Sequence, residues 1–176
     1  MLYTTLDLLK KHGACTEGYV KLLKHLGGNA SKFGRDTPIP LTTVLESNDV
    51  PDTLWCLRAV LPEEREASGK LTLLYSADCV ERGLLRYEKK YPKDAPLIRE
   101  FIEKMRGFAN GTTTAADFKE VAHRVYRADL AHLAYLAYLA YLADLADEEK
   151  WLANRLRAYL EGTPLEPVTA PDKATQ

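Results

Sequence analysis

Residues 94–111 read "DAPLIREFIEKMRGFANG", and they carry the signals of an amphipathic helix in order. Asp94 offers a cap, Pro96 suits a first turn where a missing N–H costs nothing, and Asn110-Gly111 supplies the stop. Between them Leu97, Ile98, Phe101, Ile102, Met105 and Phe108 fall on one stripe at helical spacing. A strand, with its period of two, would scatter the same residues over both faces.

The neighbouring segments repeat this grammar. Pro92 closes a helix running from about Glu66 to Tyr91, in which Leu73, Ala77, Val80, Leu84, Tyr87 and Tyr91 are spaced by four and three in turn. Before it, Asn48 or Asp49 offers a cap and Pro51 a first turn for "PDTLWCLRAVL", whose Leu54, Leu57, Val60 and Leu61 share a face and which Pro62 ends. Thr5 caps "LDLLKKH" up to Gly13, and Thr16 caps "EGYVKLLKHL" up to Gly27-Gly28. Residues 27–40, rich in Gly and Pro, read as a loop, and "LTTVLES" adds one or two turns. Thr114 followed by Asp117 is a relative of the capping box and opens a region without Pro or Gly until Gly162. No stretch alternates valine, isoleucine and threonine as strands do, so the class is all-α.

That last region contains "DLAHLAYLAYLAYLADLAD", Asp129 to Asp147, in which Ala-x-Leu recurs every three residues. At about 100° per residue each leucine lies about 60° behind the last, so six of them travel once round a helix axis. Such a helix is apolar on every side and belongs among other helices. Tyr135, Tyr138 and Tyr141 wind round with the leucines as a stripe of polar tips. A single helix from Thr114 to Glu161 would be roughly 72 Å long, against about 40 Å for a compact chain of this size. A break near Asp129 or within Asp144–Glu149 is therefore expected, followed by an amphipathic last helix with Trp151, Leu152, Leu156 and Tyr159. The expectation is a single-domain helical bundle of about seven to eight helices over residues 1–162, with a central Ala/Leu-rich helix. Residues 163–176, with three prolines and little to bury, are expected to form a disordered C-terminal tail.

The 176 residues carry 24 basic and 25 acidic side chains, a net charge of −1. No whole-molecule field draws such a chain to nucleic acid or to an anionic membrane. The start, Met1 to Asp7, lacks a basic, then apolar, secretory signal, which suggests a cytoplasmic protein. His132 and three tyrosines inside the repeat argue against a membrane span. Cys15, Cys56 and Cys79 form no paired ligand motif and read as reduced, buried thiols.

No phosphate-binding glycine loop and no nucleophile elbow is present, so an enzyme is disfavoured and no cofactor is implied. His12 and His25 fall in the last turns of short helices. His123 and His132 are nine residues apart, on opposite sides of a helix, which excludes a helical metal pair. Ten tyrosines are the unusual resource, and Tyr135, Tyr138 and Tyr141 are candidates for an interface or pocket. Trp55 and Arg58 on "LWCLRAV", and Glu81 and Arg82 on "CVERGLLRYEKKYP", are the other candidates, being the polar or aromatic residues nearest otherwise apolar segments. An ordinary buried ion pair explains the charged ones equally well.

The combination "LLKKHGACTEGYVKLL", "DTLWCLRAVLP" and "DCVERGLLRYEKKYPKDAPLIREFIEKMRGFANG", with an alanine-rich, tyrosine-bearing terminal helix, resembles a widespread family of uncharacterised α-helical proteins of bacteria and phages. Some members are labelled immunity proteins of toxin systems. The resemblance covers most of the chain up to about Asp147, carries no catalytic residues, and departs where leucine here occupies every third position. It implies a non-enzymatic binding protein of a phage or mobile element that neutralises a partner protein, either a toxin or a defence component. Two alternatives are sequestration of a nucleotide-like small-molecule signal and self-association into a homo-oligomer through the tyrosine stripe.

Overall fold

The computed structural model describes residues 1–89, 92–127 and 145–169. Among them are nine α-helices rather than seven to eight, with two short 3₁₀ turns and one two-stranded sheet. The chain is all-α in class, and it divides into two compact units. Residues 129–144 of the expected central Ala/Leu helix, with Tyr135, Tyr138 and Tyr141 and the expected break near Asp129, lie outside the described residues, whereas positions 145–149, where a break is also expected, are helical within Leu145–Glu161.

The first unit holds residues Met1–Thr72 and Ala153–Leu165. Its helices are α1 (Leu6–Lys11), α2 (Thr16–His25), α3 (Ala30–Phe33), α4 (Leu41–Ser47) and α5 (Val50–Cys56). It also takes the start of α6 (Arg65–Tyr87) and the end of α9 (Leu145–Glu161). The first strand, β1 (Tyr3–Thr4), pairs antiparallel with β2 (Ile39–Pro40). Residues expected to be strand-free and loop thus form a sheet. Two-residue strands carry no period for a sequence to show. What holds them is burial: Thr4 is fully enclosed, its hydroxyl donates to the Ala59 carbonyl at 2.6 Å, and its backbone bridges to Val60. Leu6, Leu22, Ile39, Leu41, Leu156 and Leu160 are among the most deeply buried side chains.

Thr5 caps α1 as expected, accepting from the Leu8 amide. The cap of α2 is Cys15 rather than Thr16: its sulfur accepts from the Gly18 amide at 3.3 Å. That role places Cys15 on the surface, and Cys79 is half-buried, so only Cys56 of the three free thiols is fully buried.

The second unit holds residues Leu73–Leu152 and Glu166–Gln176, including the rest of α6, α7 (Ala95–Ala109), α8 (Ala115–Arg127) and the start of α9. The α7 stripe performs as read: Ile98, Ile102 and Met105 are buried together with Ala77 and Leu84 of α6, and Leu73, Val80, Phe101 and Phe118 pack against them. Phe108, at the far end of the stripe, is exposed and stacks on Phe118, with ring centroids 5.2 Å apart. The α7–α8 turn folds back so that Thr112 and Thr113 both donate their amides to the Gly107 carbonyl. The Thr113 hydroxyl then occupies the space a Cβ at position 107 would need. Thr114 accepts from the Asp117 amide, as the capping-box relative predicts.

Two ion clusters tie this unit together. Arg106, on α7, donates to Asp78 and Glu81 of α6, each at 2.5 Å. Burial works to lower the Arg106 pKa, but the bonds to Glu81 and then Asp78 outweigh it and hold the guanidinium charged. Arg82 donates from Nε and Nη2 to the two oxygens of Glu148, at 2.8 and 2.9 Å, and its third contact is the Thr169 carbonyl. Among the described residues no helix is long and apolar enough to cross a membrane.

Candidate ligand pocket

Among the described residues, a set of polar and aromatic groups lines an open space in the first unit, between α2 and the α4–α5 pair. On α2, Cys15, Gly18, Tyr19 and Leu22 follow the spacing of three, four and seven that puts them on one face. On α5, Asp52, Trp55 and Cys56 do the same. The two rows line a cavity of about 300 Å³, the small end of the size range of ligand sites.

Local chemistry fixes both rows. Gly13, at φ 79°, lets the chain reverse between α1 and α2. Asp49 caps α5, its carboxylate accepting from the Asp52 amide at 2.8 Å, and Pro51 fits the first turn. The enclosed Thr53 hydroxyl donates to the Asp49 carbonyl. Asn48 is the cross-link: its Nδ2 donates both to the Gly18 carbonyl, at 2.9 Å, and to Asp52 Oδ2, at 2.7 Å. A Cβ on residue 18 would stand 2.9 Å from that carboxylate oxygen, so glycine is what lets α2 come this close.

One group beside the cavity stands out. The Tyr19 hydroxyl oxygen is shut off from solvent and has no hydrogen-bond partner among the described residues. No protein-family model, curated protein or solved structure matches the chain. An orphaned buried hydroxyl costs about 1–3 kcal/mol, and native structures rarely keep one without reason.

Of the residues proposed from sequence, Trp55 lines this pocket, and Arg58 lies over its ring, 5.3 Å from the centroid, while remaining exposed. Glu81 and Arg82 belong to the second unit and are engaged in the ion pairs with Arg106 and Glu148. Sequence reasoning missed Tyr19, Asn48 and Asp52. The helical spacing of Cys15, Gly18, Tyr19 and Leu22 was a usable signal, because it sets small residues and an aromatic on one face of a helix whose lysines lie elsewhere. Among the described residues no group of three or more His, Cys, Asp or Glu is placed to hold a metal ion.

Burial, and then the nearby Asp52 charge, pushes the Cys56 thiol from an ordinary value of 9.0 up to about 12. A raised thiol pKa means the neutral form is the one that fits, so this contribution to stability is complete below pH 9 and is lost as pH rises towards 12. Tyr75, raised by burial and then by Cys79, adds to the same alkaline loss in the second unit. Melting curves should therefore fall above about pH 9, and Cys56→Ala should shallow that fall. Iodoacetamide at pH 8 should modify Cys15 first and reach Cys56 only as the first unit unfolds.

Proposed function

We infer that this chain is a non-enzymatic binding protein whose small-molecule site is the pocket between α2 and α4–α5. The observation that carries this reading is the cavity of about 300 Å³ whose lining brings Tyr19, Trp55 and Asp52 together. Sequestration of a small signal is the corresponding role.

Trp55→Ala tests the reading, because it removes the aromatic wall of the cavity and leaves the Asn48–Asp52 cross-link in place. The variant should bind small-molecule ligands at least tenfold more weakly than the parent while urea unfolding still shows a cooperative transition. Parent-like binding in the variant would remove the basis of the reading.

Neutralisation of a protein partner, the reading that the family resemblance implies, draws support from a different place. Tyr126 on α8 is 70% exposed and Phe108 on α7 is 36% exposed, and aromatic side chains of this kind anchor protein interfaces. Co-expression with a candidate toxin or defence component should yield a stable complex that Tyr126→Ala weakens.

A further inference from the structure

The geometry points to a small organic cation with an apolar body as the ligand class of the α2/α4–α5 pocket, its ammonium held by Asp52 against the Trp55 wall. This inference rests on the pocket being a ligand site and adds what kind of molecule enters it.

Charge complementarity decides the class. Asp52 is the one formally charged residue in the lining of the pocket. Asn48 engages its Oδ2, and among the described residues its Oδ1 accepts no hydrogen bond. An unused anionic acceptor in a largely apolar enclosure suits a donor-bearing, positively charged group and repels a phosphate or carboxylate. The remaining wall, with Leu9, Leu22, Val44 and Trp55, suits a hydrocarbon or aromatic body.

The aromatic rings agree with this. Lys10 lies 5.0 Å from the centroid of the Tyr19 ring and Arg58 5.3 Å from that of Trp55, so both rings already act as cation acceptors towards the protein's own side chains. Lys10 and Arg58 are exposed and outside the lining, where solvent screens their charge. A nucleotide, the signal suggested by sequence, is disfavoured at this site: its base fits the apolar wall, but its phosphate meets Asp52.

Three probes that share one body and differ in charge test the inference on the full chain by isothermal titration: phenethylamine, phenethyl alcohol and phenylacetate. Adenosine and its monophosphate complete the set. Phenethylamine should bind at least tenfold more tightly than the alcohol, phenylacetate should show no saturable heat, and Asp52→Asn should erase the difference between amine and alcohol. The comparison among probes on the unaltered protein stands even where that variant fails to fold. Equal or tighter binding of the alcohol, phenylacetate or the monophosphate, lost in Trp55→Ala, would overturn the cation assignment while leaving the pocket as a ligand site. Absence of saturable binding by every probe would overturn the cation assignment. Combined with the same absence across a set of neutral and anionic aromatic fragments, it would remove the ligand-site reading as well.

Discussion

Arg82→Ala should destabilise the second unit by about 3–5 kcal/mol, the range for removing one partner of a buried ion pair. Arg82 is 7% exposed and Glu148 5% exposed, and the fork of two parallel bonds is the strong form of the contact. The guanidinium also lies 4.5 Å from the centroid of Trp151, so truncation removes a packed surface as well as a charge. Arg82→Lys keeps the charge without the fork and should fall between the two. Replacing the pair together, Arg82→Met with Glu148→Leu, should recover much of the loss, because the large cost lies in stranding a buried carboxylate rather than in lacking an ion pair. Hydrogen exchange on α6 and α7 reads the result within this unit, where a single melting temperature for the whole chain would blur it.

The same residue shows what the sequence could and could not carry. That Arg82 sits on an otherwise apolar segment was legible, and so was the reading that an ion pair would satisfy it. The partner was not, because Glu148 lies 66 residues away and nothing local selects it over its acidic neighbours. Local rules served well wherever a helix decides its own ends: Thr5, Asp49, Gly111 and the Thr114–Asp117 pair cap or stop helices as their chemistry dictates. They failed where tertiary contacts decide. The β1–β2 pair exists because residues 2–4 are held between 39–41 and 59–61, and no pattern inside four strand residues announces it. Cys15 displaced Thr16 as the α2 cap because a thiol one position earlier also reaches the Gly18 amide. The pocket combined both cases: each helix face was readable by its spacing, whereas their meeting across Asn48 was not.

Leu22→Ala should cost about 2–5 kcal/mol, as large-to-small changes at enclosed leucines do, and should abolish ligand binding with it. Leu22 is the one buried residue of α2, so a helix of ten residues is docked chiefly through a single side chain that also lines the pocket. An isolated helix of that length is marginal in water, so weakening the dock should free α2 to fray rather than only enlarge the cavity. Tyr19 and Gly18 ride on the same helix, and Asn48 would lose the Gly18 carbonyl. Val20, on the opposite side and 53% exposed, is the control: Val20→Ala should change stability by no more than about 0.5 kcal/mol. Unfolding followed by Trp55 fluorescence in a Trp151→Phe background reports on the first unit. Retained binding in Leu22→Ala at parent affinity would show that the α5 row alone holds the ligand, and the two-row pocket would have to be given up.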